Sequence, residues 1–203
     1  MPAFLTIFLF LAALVCSAGT EELTRKFHTL AVYRTIRADF IQTRRLTELD
    51  MTIEIRGEMV CEKNGRLRWQ VNSPVRSVTV IADDTLTHFD AETGKTSRIE
   101  QRKFPWLKVL RSCLTDWISG DPERLAKRFE LTAKDERTLR LTPKEAALKN
   151  MFRSVEIRAD AAFAAIETIA IEETSGDILT IRFVNVRKDP AGLSDKTWRA
   201  APE

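Results

Sequence analysis

From Ile36 onward the chain alternates. Ile36, Ala38, Phe40 and Gln42 share one parity, and Arg37, Asp39 and Thr43 the other. This is the two-residue period of a half-buried strand. Before it, residues 21–33 set Leu23, Phe27, Leu30 and Ala31 at helical spacing among charges, which predicts an amphipathic helix. Strand-like runs follow over residues 53–63, 66–71, 75–82, 85–90 and 96–101, separated by turn residues at Asn64-Gly65, Asp83-Asp84 and Glu92-Thr93-Gly94. In the second run Leu67, Trp69 and Val71 lie on one face, and Arg66, Arg68 and Gln70 on the other. The meander breaks at Phe104-Pro105-Trp106. Leu107, Leu110, Leu114 and Trp117 then line one side of a helix over 107–118 that Gly120 stops. Asp121-Pro122-Glu123 opens a second, short helix with a capping residue, a first-turn proline and an acidic first turn. Strands resume over 129–133, 138–143, 151–158, 166–174 and 178–187, with a hairpin at Ser175-Gly176-Asp177.

The order is therefore helix, meander, helical insertion, meander: a mainly β fold with α (α+β). Many short antiparallel strands either close into a barrel or have one face covered, and here the helices are the covers. With 203 residues, 44% of them apolar and 30% charged, the chain suits one globular domain. The net charge of +3 comes from dispersed residues, which argues against a nucleic-acid binder. Residues 4–15 form an unbroken apolar run, too short to span a bilayer comfortably, followed by small residues at Cys16 and Ala18. A signal peptide over 1–18, cut after Ala18, and a single domain over 19–203 are the expectation, with a cut before Cys16 and lipidation there as the alternative. No later stretch is apolar enough to span a bilayer. Of the cysteines beyond it, Cys61 falls in a strand and Cys113 in a helix; they either pair in an oxidising compartment or stay as separate buried thiols.

Catalytic chemistry finds no starting point. His28 and His88 are the only histidines, and no zinc-spaced His/Cys cluster, nucleophile elbow, P-loop or dinucleotide fingerprint occurs. Asp83-Asp84 reads as a turn, because neighbouring strand residues face opposite ways. The reading is of a non-enzyme without metal or cofactor.

Several segments together resemble the outer-membrane lipoprotein carrier (LolA) family. They are Ala38-Asp39-Phe40-Ile41-Gln42-Thr43 after the first helix and Gly57-Glu58-Met59-Val60. Next comes Gly65-Arg66-Leu67-Arg68-Trp69 with Pro74 nearby. Ile81-Ala82-Asp83-Asp84-Thr85-Leu86 follows, with Asp84 where the family carries glycine. The last two are Leu139-Arg140-Leu141-Thr142-Pro143 and Ile178-Leu179-Thr180-Ile181-Arg182-Phe183. The resemblance spans about residues 23–198. It implies an unclosed antiparallel β-barrel, or half-barrel, with helices over its concave face. It also implies a periplasmic carrier that takes lipoprotein or another envelope lipid from an inner-membrane release complex to an outer-membrane acceptor.

On that basis the lipid cavity and lid are expected at Phe40, Leu67, Trp69 and Val71 on strands and at Trp106, Leu110, Leu114 and Trp117 on the insertion. The competing reading of each is plain core. Arg68, and equally Arg66, is the candidate arginine for contact with the lid, against a solvent-facing strand arginine. A monomer is expected. An outer-membrane acceptor anchored through Cys16, and an envelope-stress regulatory module, are the alternative functions.

Overall fold

The computed structural model describes residues 19–201 apart from 64, 101, 102 and 104. Residues 19–28 form helix α1, continued by a 3-10 turn at Thr29–Ala31. Strands β1 (Thr35–Leu46), β2 (Met51–Glu62), β3 (Leu67–Ser73), β4 (Ser77–Ala82), β5 (Thr85–Asp90) and β6 (Thr96–Glu100) make the first meander. Helices α2 (Pro105–Ser119) and α3 (Pro122–Arg128) form the insertion. The second meander is β7 (Phe129–Asp135), β8 (Thr138–Pro143), the short α4 (Ala146–Lys149), β9 (Phe152–Ala159), β10 (Ile166–Glu173) and β11 (Ile178–Asp189). A last 3-10 turn, Asp195–Trp198, lies in the C-terminal tail.

All eleven strands join one antiparallel sheet in the order β6-β5-β4-β3-β2-β1-β11-β10-β9-β8-β7. The two meanders meet where β1 pairs with β11, Phe40 opposite Phe183. Among the described residues the sheet ends at β6 and β7, so it is an unclosed half-barrel, as expected. The helical insertion connects these two edges along the chain. The β7 edge is partly covered by α1, where the Thr20 hydroxyl accepts the Ala133 N–H at 3.1 Å.

The local signals in the sequence act as expected. Asp121 caps α3 by accepting the Glu123 and Arg124 N–H groups, with Pro122 in the first turn. Gly120 ends α2 in the left-handed region, at φ +65°. Asp83 and Asp84 form the β4–β5 turn, both left-handed at φ +49° and +59°, which a hairpin of two central residues demands. Asn64 lies outside the described residues, while its neighbour Gly65 has φ +94°. α1 is shorter than the expected 21–33 helix at its end, because the chain turns through the 3-10 segment before β1. Helix α4 was not expected: with four residues, of which Leu148 alone is buried, it is too short to show a period.

Cys61 and Cys113 are both buried and unpaired, which settles the open choice in favour of separate thiols.

Candidate functional site

Strand alternation and register together build one apolar face. Across the first meander, Ile36 faces Cys61, Cys61 faces Leu67, Leu67 faces Ile81 and Ile81 faces Leu86. One step along, Phe40 lies between Phe183 and Gly57, and Gly57 pairs with Val71. Across the second meander the row runs Leu139, Ile157, Ile169, Ile181. These residues are the concave side of the sheet, and most belong to one contiguous hydrophobic cluster. α1 contributes Leu23 and Phe27 to it and the 3-10 turn after it Leu30, α2 contributes Cys113, Trp117 and Ile118, and α3 contributes Leu125. The helices are therefore laid into the concavity by their own apolar stripes.

The cover is uneven along the strands. At the end marked by Ile36, Cys61 and Leu67, exposure is 3% or less. At the opposite end, Met51 and Ile53 continue the same pleat of β2 yet remain 45% and 43% exposed, and Leu49 beside them is 68% exposed. Between the two ends Ile55, Trp69, Val71 and Leu179 are half-buried, as are Val109 and Leu114 of α2. The concave apolar face is thus covered at one end of the strands and exposed to solvent at the other, its mouth.

Two positions shape its floor. The rings of Phe40 and Trp69 stack with centroids 3.9 Å apart and 25° between planes. They belong to β1 and β3, with β2 between them. The gap is bridged because the β2 residue opposite Phe40 is Gly57. A Cβ there would stand 2.7 Å from Phe40 Cζ and 1.9 Å from the Gln70 carbonyl oxygen.

The expected lining residues divide as follows. Phe40 and Leu67 are buried in the floor, and Trp69, Val71 and Leu114 are half-buried along it. Trp117 is 1% exposed and packs against Phe129 and Phe152, with ring centroids 6.2 and 5.6 Å away. That is the environment of a core anchor for the C-terminal half of α2. Trp106 and Leu110 lie on α2, but their side chains fall outside the described residues. His88, half-buried, meets the Thr79 hydroxyl at 2.9 Å, a polar spot on the trough face that sequence reasoning had not placed there. Register alone reveals it, since Thr79 and His88 are partners across β4 and β5.

The described contacts of the two candidate arginines are these. Arg68 is on the outer face of β3, where its guanidinium donates to the Thr197 and Arg199 carbonyl oxygens of the C-terminal tail and to Gln70. Burial lowers its pKa, opposed by Glu58. Arg66 donates to Asp83 at 3.1 Å and to Asp195 at 3.3 Å, and lies over the Trp198 ring. The described partners of both therefore tie the tail and the β4–β5 turn, and α2 is not among them. An α2 contact to that turn is made by Arg111, 3.6 Å from Asp84. Asp116 of α2 is gripped by Arg128 at 3.2 Å and Arg124 at 3.7 Å; burial raises its pKa and the two arginines oppose that.

Reactive groups in this structure are quenched by their surroundings. Burial pushes the Cys61 thiol up to about 12, helped by the Glu62 carboxylate, and the Cys113 thiol up to about 11. Such thiols stay protonated and are poor nucleophiles. Among the described residues no group of three or more His, Cys, Asp and Glu side chains is placed to hold a metal ion. Among the same residues, no helix is long and apolar enough to cross a membrane.

Fold and site define the chain as an unclosed antiparallel half-barrel whose concave face is an apolar trough covered by helices. It belongs to the LolA family: the model of the family described as outer membrane lipoprotein carrier protein LolA matches residues 32–198. That is a family of carriers, not of enzymes. An outer-membrane lipoprotein carrier protein of Coxiella burnetii (strain CbuK_Q154) is 24% identical over 143 residues, taking in 69% of this chain and 65% of that protein. The match thus covers just under two thirds of the relative's length. Among solved structures, an uncharacterised conserved protein of Thermus thermophilus shares the fold with a TM-score of 0.53 at 11% identity, over 90% of this chain and 94% of that one. A LolA-superfamily protein of Nitrosomonas europaea aligns over 89% of this chain and 97% of its own, with 10% identity and a TM-score of 0.45.

Proposed function

We propose that the protein is a periplasmic carrier that holds the acyl chains of a lipoprotein, or of another envelope lipid, in this trough and moves them toward the outer membrane. The observation that carries this reading is the open mouth. Met51 and Ile53 extend the buried apolar face into solvent, where a folded protein without a hydrophobic ligand gains nothing from them. An acyl chain in water costs roughly 0.8 kcal/mol per exposed CH2, so sheltering even part of it supplies ample binding energy without any reactive group. Phe40, Leu67, Trp69 and Val71 form the floor of the site, and α2, carrying Trp106, Leu110 and Leu114, is its lid. Trp117 anchors that lid. Residues 1–18 act as the export signal. A donor in the inner membrane and an acceptor at the outer membrane complete the route.

The test is to express the protein with its leader, purify it from the periplasm and extract it with organic solvent for mass spectrometry. Acyl lipids in a defined ratio to protein are the expected result. Repeated recovery of lipid-free protein that also ignores fluorescent fatty-acid probes would contradict the proposal.

A further inference from the structure

The outer face of the sheet is divided electrostatically. On β8–β10 its cations meet carboxylates. Arg140 lies 3.4 Å from Glu156 and 3.7 Å from Glu172, Arg153 lies 3.6 Å from Glu172, and Arg158 lies 3.0 Å from Asp135. The β1–β5 half is different. There the C-terminal tail crosses the face, held by Arg68, and leaves a cleft of about 650 Å³ between itself and the strands. Arg37 of β1, Arg76 before β4 and Lys196 of the tail border this cleft with exposed side chains. Among the described residues no carboxylate pairs with any of the three. Arg68, whose guanidinium holds the tail, adds a further cation. Among the described residues the carboxylate in the lining is Glu58, which already accepts a hydrogen bond from Asn72 at 3.1 Å. Beneath these charges the floor is apolar, made by Val60, Val78 and Phe89.

Unneutralised cations around an apolar floor repel one another and expose hydrocarbon, a combination relieved by a ligand that is both acidic and apolar. A flat anionic membrane would meet the exposed cations but not the floor, which is walled by the tail. An extended peptide reaches both, its acidic side chains at the rim and its apolar ones below. We propose that this outer-face cleft is a docking site for an acidic, apolar-interleaved peptide segment of a protein partner. It lies on the outer face of the sheet, with Val71 the trough residue that also lines it, and the inference stands or falls apart from the carrier reading.

The test uses the full mature chain and a short fluorescein-labelled peptide alternating glutamate with leucine and phenylalanine, followed by fluorescence anisotropy. Its glutamine counterpart and phosphatidylglycerol vesicles are the controls. The glutamate peptide is expected to bind about tenfold or more tightly than the glutamine peptide, and to weaken strongly between about 50 and about 300 mM salt. The pair Arg76→Glu and Lys196→Glu, both exposed and without a carboxylate partner among the described residues, is expected to lower affinity about tenfold or more with an unchanged melting curve. Arg153→Glu, the same charge change on the neutralised half, should leave affinity as it is. Failure of the glutamate peptide to bind, equal binding of the two peptides, no response to the double reversal, or binding of the vesicles alone would each overturn the proposal.

Discussion

Phe40 and Trp69 stack diagonally across an intervening strand, their ring centroids 3.9 Å apart, and Gly57, the β2 residue opposite Phe40, leaves room for the Phe40 ring. This contact fastens β1 to β3 on the trough floor and is worth about 0.5–1.5 kcal/mol beyond the area the rings bury. It also sets the floor's shape, since any larger side chain at 57 would occupy the space the Phe40 ring now fills.

Gly57→Ala is therefore expected to destabilise the fold by about 1–3 kcal/mol, the range for forcing extra atoms into a packed core. The backbone oxygen of Gln70, 1.9 Å from the new Cβ, cannot step aside as a flexible side chain would. Urea unfolding measures the loss directly. Tryptophan fluorescence should change with it, as Trp69 loses its partner.

Ile53 and Trp117 separate mouth from core. Ile53 is 43% exposed and Trp117 is 1% exposed. Ile53→Asp should leave stability within about 0.5 kcal/mol while weakening a fluorescent acyl probe several-fold. Trp117→Ala should cost about 3–5 kcal/mol, because it empties the buried space beside the stacked Phe129 and Phe152 rings. Thermal melts and probe titrations on the two variants should give opposite patterns.

Asp84 occupies a left-handed position, φ +59°, in a turn where glycine fits without strain. Asp84→Gly is expected to raise stability by about 0.5–1 kcal/mol, since relief of a left-handed L-residue is partly offset by the freer unfolded chain. It also removes the contact from Arg111 of α2, a pair whose carboxylate stands in solvent and which therefore contributes little to overall stability. Hydrogen exchange in α2 should quicken even as the melting temperature rises.

The thiols predict an alkaline limit. An ordinary thiol ionises near 9.0, whereas burial first, and Glu62 second, holds Cys61 protonated to about 12. Above pH 9 the unfolded chain releases a proton that the folded chain keeps, so stability falls as pH rises from about 9 toward 12. Cys113, pushed up to about 11, acts in the same direction. Cys61→Ala with Cys113→Ala should flatten this part of the stability profile. At pH 8 a thiol reagent should label neither cysteine until denaturant is added.

Much of this architecture is legible in the sequence because the strands obey a strict parity. Leu67, Trp69 and Val71 declare the inner face of β3, and Pro105, Gly120 and Pro122 punctuate the insertion. The same parity puts Arg66 and Arg68 on the outer face, beside the tail that Arg68 holds. What parity cannot give is register. Gly57 gains its meaning only when β2 is aligned between Phe40 and Trp69, and His88 joins the trough face only through its pairing with Thr79. Nor does the tail announce its path. Residues 190–201 have no period, and their place is fixed by Arg68 reaching two backbone carbonyls far along the chain.

A carrier of this design must admit hydrocarbon into the trough as far as its floor. Titrating the protein with a bromine-labelled fatty acid, and repeating it with Trp69→Phe, tests this most directly. The account predicts saturable quenching of tryptophan fluorescence, a substantial part of which disappears when Trp69 is replaced by phenylalanine. Quenching that never saturates, or that is the same in both proteins, would contradict it.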